Sequence, residues 1–134
     1  MSVVRTLEQV LADRENGRLA ELCAGLDIDL LVLFGSARRD PQRAGDIDVA
    51  YSFIHGSHRP HLDVVNALGE QYGDHLDVLH LDRADPVARY AALGGGEVLV
   101  ERTPEKFALS QIAAWGEYID TQKFRDAELE RLAR

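Results

Sequence analysis

Cysteine is nearly absent from the sequence, which has a single cysteine, Cys23, among its 134 residues. One cysteine excludes an internal disulfide and any zinc site built from clustered cysteines. Its place in a helix-like apolar stretch predicts a packed thiol rather than a reactive one. Long apolar runs are also absent, since no run approaches the roughly 20 residues that a membrane-spanning helix needs. Residues 1–5 lack the pattern of a signal peptide, so we expect a cytoplasmic protein with no membrane partner.

Basic residues are scarce relative to acidic ones. The chain has 15 lysines and arginines against 23 aspartates and glutamates, a formal net charge of −8 at pH 7. Nonspecific binding of DNA or RNA depends on basic surface, so this balance argues against an extended nucleic-acid footprint. It does not argue against one nucleotide that is held through a metal ion. A hydrophobic content of 46% and a charged content of 28% are typical of a folded domain, and we expect residues 1–134 to form one.

Two familiar phosphate-binding signatures are missing as well. No P-loop sequence occurs, and the glycines at residues 94–96 do not open a helix as a dinucleotide-binding loop would. His55, His58 and His61 are spaced by three, which invites a metal-binding interpretation. They lie among glycine, serine and proline residues with no neighbouring acid. We therefore expect a solvated loop, or one that lines a nucleotide cleft, rather than a zinc site.

The apolar periodicity alternates between helical and extended along the chain, which indicates an α/β layer fold. Helical patterns cover about residues 6–25 (with a break at Asn16-Gly17), 62–72, 85–93 and 104–130. Extended patterns cover residues 30–34, 47–53, 75–81 and 97–101. We expect a mixed sheet with helices packed mainly on one face and an open cleft on the other. The apolar stripe of the last helix predicts a core position for Trp115.

The stretch richest in chemistry is residues 33–40, followed after a polar loop by residues 45–51. A buried strand ends at Gly35-Ser36, where glycine permits a sharp turn and a close approach of the backbone to a ligand. Ser36 can cap the short turn that follows, whose N–H groups attract phosphate. Asp46 and Asp48 are two residues apart on the next strand, so we expect them to share a face.

A third acid, Asp77, interrupts the apolar strand at residues 75–81. Carboxylates that lie close together repel one another, and a divalent cation is the usual remedy. We expect Asp77 to be buried and to meet Asp46 and Asp48 at a site for magnesium and a nucleoside triphosphate. With two ions, Asp77 would serve the second and accept the proton of the attacking hydroxyl. The alternative is an acid at a strand start that pairs with Arg83 or a backbone amide.

Taken together, the Gly35-Ser36 turn, the strand with Asp46 and Asp48, and Asp77 on a later strand resemble the polymerase-beta-type nucleotidyltransferase superfamily. Residues 85–101 and the last helix are similar in pattern to the minimal nucleotidyltransferases that pair with HEPN-domain toxins. The resemblance covers nearly the whole chain. It implies the α/β minimal nucleotidyltransferase fold.

The resemblance also implies a function and a set of ligands. The three acids would bind magnesium, as two ions, while Gly35 and Ser36 would hold the phosphates of ATP. The reaction would transfer AMP from ATP to a tyrosine hydroxyl of a cognate HEPN ribonuclease toxin, its hetero-oligomeric partner, and so silence it. Arg39, in the short helix after the turn, could offset phosphate charge or could be a solvated arginine.

Two other functions stay open from the sequence. One is a non-catalytic antitoxin that neutralises its HEPN partner by binding, although a vestigial site has no reason to keep mutually repelling acids. The other is a small-molecule nucleotidyltransferase of the aminoglycoside-modifying kind. A chain of 134 residues leaves little room for a second domain that would build an acceptor pocket, which favours a protein acceptor.

Overall fold

The computed structural model describes residues 2–134, which form one mixed sheet with helices on both faces. In chain order the helices are α1 (Val3–Asn16), α2 (Arg18–Gly25), α3 (Ser36–Arg39), α4 (His61–Tyr72), α5 (Pro86–Gly94), α6 (Lys106–Asp120) and α7 (Gln122–Ala133). The strands are β1 (Ile28–Phe34), β2 (Ile47–Phe53), β3 (Leu76–His80) and β4 (Glu97–Glu101), and a 3₁₀ turn (Leu81–Arg83) follows β3. The predicted α/β fold is confirmed.

Local sequence signals set most of the helix ends. Asp85 caps α5 by accepting a hydrogen bond from the Ala88 N–H at 2.8 Å, with proline at the first helical position. Gly17, with φ of 86°, separates α1 from α2, which confirms the predicted break. The predicted start of α1 at Thr6 is wrong, because Ser2 is the cap and accepts from the Arg5 N–H at 3.2 Å.

The strand order of the sheet is β3-β2-β1-β4. β1 runs antiparallel to both β2 and β4, whereas β2 and β3 are parallel. A parallel pair needs a crossover connection, and α4 supplies it between β2 and β3. The central position of β1 explains its apolar run over residues 30–34, because both of its faces are covered.

The larger core lies on the face of the sheet that α1, α2 and α4 cover. Ile47, Val49 and Tyr51 enter it from β2, while Ala50 joins a smaller core with α5 and α6 on the opposite face. The predicted alternation along β2 is therefore confirmed. Cys23 is fully buried in the larger core, and burial raises the pKa of its thiol to about 12, which confirms the packed thiol.

Buried polar side chains join elements that are far apart in the sequence. Asp13, on α1, accepts hydrogen bonds from the Tyr72 hydroxyl at 2.8 Å and from Gln9 Nε2 at 3.0 Å. Asp29, on β1, accepts from the Thr103 N–H at 2.9 Å. Each buried carboxylate thus has a donor, which removes most of the cost of burying it.

Arg89 connects the elements that cover the second face of the sheet. Its guanidinium donates to Glu117 Oε2 at 2.6 Å, to the Leu81 carbonyl at 2.9 Å and to the Ala84 carbonyl at 2.9 Å. One side chain therefore holds the 3₁₀ turn, α5 and α6 together. This fixes α5 beside the strands that carry the acids.

The C-terminal helix predicted over residues 104–130 is two helices. The break falls at Thr121, whose Oγ1 donates to the Glu117 carbonyl at 2.8 Å and competes with the helical hydrogen bonds. Trp115 lies on the surface with 58% of its area exposed, so its predicted core position is wrong. None of the helices within residues 2–134 combines the length and the apolar character that a bilayer crossing demands.

Candidate active site

The pairing of β2 with β3 brings two of the predicted site acids together. Asp48 and Asp77 are direct partners in the parallel register. Neighbouring strands lie about 4.8 Å apart, and partnered residues point to the same face of the sheet. Asp48 is also the register partner of Phe34, the last residue of β1. The acids therefore meet beside the point where β1 ends in the glycine turn.

Asp46 lies in a bend just before β2, because the strand begins at Ile47, whose N–H donates to the His75 carbonyl at 2.7 Å. The rule of strand alternation therefore does not place it. Its charge nevertheless acts on Asp48, so it belongs to the same neighbourhood. Asp46 is exposed and forms the solvent side of the acidic group.

Asp77 is exposed, so the expectation that it is buried is wrong. β3 is an edge strand, and the sequence of a strand does not reveal its place in the sheet order. An exposed carboxylate carries little desolvation cost, and burial therefore gives no argument for a cation at Asp77. The argument that remains is its repulsion of Asp48. The alternative partner Arg83 follows β3 at the opposite end of the strand.

Asp48 is the half-buried member of the group and the one whose ionisation is disturbed. Burial, followed by the charges of Asp77 and then Asp46, raises the pKa of the Asp48 carboxyl above its usual value. All three effects act against the charged form. A cation placed between these side chains would offset all three effects by stabilising the ionised carboxylate.

Position 35 requires glycine for two reasons, its backbone conformation and its closeness to Asp48. Its φ of 77° and ψ of −159° lie in a region that is essentially limited to glycine. A Cβ at this position would overlap Asp48 Oδ2 and lie 3.1 Å from Asp48 Cγ. The turn thus brings the backbone directly against the half-buried acid, whereas its close approach to a ligand stays a prediction.

The short helix α3 begins at Ser36, and Gly35 occupies the capping position. Ser36 is therefore not the cap that the sequence predicted, and no side chain satisfies the first N–H groups of the turn. Ser36 and Arg39 are both exposed, whereas Ala37 between them is buried. The turn next to Asp48 therefore has free N–H donors, and the Ser36 and Arg39 side chains of α3 are open to solvent.

A cavity of about 260 Å³ borders Asp48 and Asp77. Its other walls are Phe34, Val78, Leu79, Ala88 and Ala91. Sequence reasoning missed the contribution of α5, whose two alanines leave this space open. The sequence did contain a sign of this space, because Ala88 and Ala91 lie three residues apart and so give one face of α5 only small side chains.

The donor set fits magnesium that is bound together with a nucleotide. Among residues 2–134, no group of three or more histidine, cysteine, aspartate or glutamate side chains is arranged to hold a metal ion alone. Magnesium seldom uses such a cage, and one or two carboxylates with substrate phosphates and water are its usual ligands. Asp48 and Asp77, with Asp46 beside them, offer carboxylate oxygens of this kind. A site completed by the triphosphate is consistent with both observations.

The histidines do not belong to the acidic site. His55 and His58 line a separate cavity of about 540 Å³ beyond the end of β2. Five residues of strand, or about 16 Å, separate Asp48 from Phe53 at that end. His61 instead packs against Tyr51, with its Nδ1 2.6 Å from the tyrosine hydroxyl.

The fold and the acidic site define a nucleotidyltransferase, and the sequence matches such a family. The model described as polymerase beta, nucleotidyltransferase matches residues 18–105, more than half of the chain. The chain belongs to the polymerase beta nucleotidyltransferase family. A comparison with curated proteins finds no significant match.

Solved structures with the same fold cover most of the chain. A toxin–antitoxin with AMP-PNP superposes with a TM-score of 0.72 and 19% identity, over 88% of this chain and 98% of that one. A tri-AMPylated Shewanella oneidensis HEPN toxin in complex with MNT antitoxin gives a TM-score of 0.70 and 19% identity, over 92% and 99%. The toxin–antitoxin MntA-HepT gives 0.68 and 19%, over 90% and 97%. At these identities the likeness is one of fold.

Proposed function

We propose that this protein transfers AMP from ATP to a tyrosine hydroxyl of a HEPN ribonuclease toxin, and that this transfer silences the toxin. The observation that carries the proposal is the pairing of Asp48 with Asp77 against the Gly35 turn. Membership of the family supports nucleotidyl transfer as the chemistry. The choice of acceptor is supported by fold relatives solved as toxin–antitoxin complexes, one with a tri-AMPylated HEPN toxin.

Each side chain of the site has a proposed role. Asp46 and Asp48 hold magnesium together with the triphosphate, and the N–H groups that follow Gly35 bind phosphate oxygens. Magnesium, when bound as two ions, neutralises phosphate charge and makes the acceptor hydroxyl more acidic. Asp77 lies at the open side of the site, where it accepts the tyrosine proton directly or through water. Ser36 and Arg39 add polar contacts to the phosphates.

The proposed reaction is a displacement at the α-phosphorus of ATP. The tyrosine oxygen forms a new P–O bond, and the anhydride bond between the α- and β-phosphates breaks. Pyrophosphate leaves, and the proton of the hydroxyl passes to Asp77 and from there to solvent. The contribution of the protein is to position the reactants and to stabilise charge.

A small-molecule acceptor bound in the cavity near the histidines would lie too far from the acids. The cavity of about 540 Å³ lies at the far end of β2. Five residues of strand, about 16 Å, separate Asp48 from that end, so an acceptor bound there would not reach the α-phosphate.

The test is transfer of label from ATP to the partner. The purified protein is incubated with magnesium, ATP labelled in the α-phosphate and the candidate partner, the protein encoded by the adjacent open reading frame. We expect label on a tyrosine of the partner, and no label when EDTA is present from the start of the reaction. Asp48→Asn should lower the rate by about 100-fold or more, because it removes one charge from the metal site.

Glu8→Gln is the matched control, since it also removes one acidic charge but lies on the exposed surface of α1. It should transfer at the wild-type rate. A stable complex that never carries label would overturn the proposed reaction in favour of neutralisation by binding. Full transfer by the Asp48→Asn variant would overturn the assignment of the site.

A further inference from the structure

Helix α6 exposes its large apolar side chains. Leu109, Ile112, Trp115 and Ile119 are between 48% and 65% exposed. Their spacing of three, three and four residues places them along one side of the helix. We name these four residues the α6 stripe. An exposed apolar stripe on a globular domain marks an interaction surface.

The side of α6 that faces the domain carries both large and small residues. Ala114 is buried in the smaller core, and Phe107 packs against that core. Gln111 donates from Nε2 to the Leu93 carbonyl at 2.9 Å. The α6 stripe is therefore a second apolar side of the helix, which the domain does not cover. The most hydrophobic surface of α6 is therefore available to another molecule.

A shallow apolar cavity lies beside the stripe. It has a volume of about 260 Å³ and is bordered by Tyr90 and Gly94 of α5 and by Ile112 and Trp115 of α6. Such a depression next to an exposed tryptophan has the form of an interface centre, where an apolar side chain of a partner can insert. The stripe and the cavity together form an apolar surface with a ridge and a depression.

Helix α7, which follows α6, also exposes apolar side chains. None of its residues is buried, and it carries the exposed apolar residues Phe124, Leu129 and Leu132. Its attachment to α6 includes Arg125, whose guanidinium lies 4.0 Å from the centre of the Tyr118 ring. Helices of about 12 residues are marginal in water without tertiary packing. A partner that covers α7 would supply the packing that this chain does not.

We propose that the α6 stripe docks the protein acceptor of the nucleotidyl transfer, a helical HEPN ribonuclease with a basic surface. This inference rests on the proposed function. Its first support is that α5 connects the stripe to the acids. Ala88 and Ala91 border the acidic cavity, whereas Tyr90 and Gly94 border the cavity of the stripe. A protein seated on the stripe therefore lies next to the site that would modify it.

Charge supports this occupant over a second copy of the chain. The protein has a formal net charge of −8, so two copies repel each other. A ribonuclease binds an RNA backbone and needs basic surface for that purpose. Such a partner is attracted to this chain, and the attraction increases the rate of encounter.

The test compares binding and transfer in the same variants. Ile112→Glu and Trp115→Glu each place a charge on the stripe, and both sites are exposed, so the fold should be kept. Leu62→Glu is the matched control, because Leu62 is 62% exposed on α4, over the larger core. The probe is the purified candidate partner, the protein encoded by the adjacent open reading frame, which is titrated by calorimetry and then assayed for label from ATP.

We expect each stripe variant to bind the probe at least tenfold more weakly, while Leu62→Glu binds as the wild type does. Asp48→Asn should bind normally and fail to transfer. Unchanged affinity of both stripe variants would overturn the docking surface. So would a stable dimer of this chain alone that Ile112→Glu dissociates, since the stripe would then be a contact between copies.

The two proposals fail in different ways. Stripe-dependent binding with no label on the probe would overturn the reaction and leave the docking surface supported. Full transfer by both stripe variants would overturn the docking surface and leave the reaction supported. Circular dichroism of each variant, with its melting temperature, shows that a loss of binding is not a loss of fold.

Discussion

At the scale of single residues, Asp48 is the point on which the site depends. The parallel register places it beside Asp77, the antiparallel register places it beside Phe34, and the Gly35 turn passes against its carboxylate. Each contact comes from a different element. The carboxylate cannot move away from its charged neighbours without disturbing a strand or the turn. The repulsion at Asp48 is therefore built into the fold.

The burial of Asp48 and its repulsion by the neighbouring acids predict the pH dependence of stability without metal. The pKa of Asp48 is higher in the folded state than in the unfolded state. The protein is therefore most stable with respect to this group below the unfolded pKa, where the carboxyl is protonated in both states, and it loses stability as the pH rises through the folded pKa. In EDTA at pH 7 we expect Asp48→Asn to be more stable than the wild type by about 0.5 kcal/mol, a small value because the group is partly exposed to solvent.

Urea unfolding at pH 7 and at successively lower pH measures the difference in the free energy of unfolding between Asp48→Asn and the wild type. The advantage of Asp48→Asn should shrink as the pH falls and the wild-type carboxyl becomes protonated. Glu8→Gln serves as the comparison, because its position on α1 is exposed. An advantage that grows on acidification, or a variant less stable than the wild type at pH 7, would contradict the prediction.

At the scale of elements, the contacts between α1 and α4 hold the larger core around one buried carboxylate. Tyr72→Phe removes the hydroxyl that donates to Asp13 and leaves Asp13, which is 1% exposed, with Gln9 as its remaining donor. We expect a loss of about 1–3 kcal/mol in the free energy of unfolding, because a buried charged acceptor loses a donor. Chemical denaturation measures it.

Tyr90→Phe provides the matched control for this prediction. It removes the same hydroxyl from a tyrosine on α5 that is 37% exposed and stacks on Tyr118. Its stability should lie within about 0.5 kcal/mol of the wild type. Equal losses in the two variants would mean that the bond to Asp13 contributes nothing specific.

The elements that the sequence predicted well are those with local signals. The Asp85-Pro86 pair starts α5, Gly17 ends α1, and the alternation along β2 assigns its faces. Capping, positive φ and strand alternation all act within a few residues. They can therefore be recognised without knowing the rest of the fold.

The elements that the sequence predicted poorly depend on their neighbours in space. Asp77 was expected in the interior, and the edge position of β3 leaves it exposed. Trp115 was expected in the core, because an apolar stripe does not show whether the covering molecule is this chain or another. The part played by Ala88 and Ala91 depends on the packing of α5 over β2 and β3. The site acids themselves were named from their spacing and from resemblance.

At the scale of the whole molecule, ligand binding should stabilise a fold that carries uncompensated acids. We expect magnesium with AMP-PNP to raise the melting temperature by about 5–15 °C near saturation, since a ligand at 100 times its Kd stabilises by about 2.7 kcal/mol. Either component alone should give a smaller shift, because the triphosphate and the carboxylates would share the ion.

Gly35→Ala tests whether this stabilisation depends on the glycine turn. A methyl group there meets Asp48 and strains a backbone with φ of 77°. The variant should melt lower than the wild type and show no shift with magnesium and AMP-PNP. Gly45→Ala is the control, since a Cβ there has open space within 4 Å. A full shift in Gly35→Ala would separate nucleotide binding from the turn.

Helix α5 separates the acidic cavity from the cavity of the α6 stripe, and Arg89 anchors it from one end. Any coupling between ligands on its two sides would be reciprocal. If the proposed acceptor increases the affinity for nucleotide by displacing α5, the nucleotide must increase the affinity for the acceptor by the same factor. After transfer, the release of pyrophosphate would then weaken the complex, so that one molecule of this protein could modify several acceptor molecules in turn.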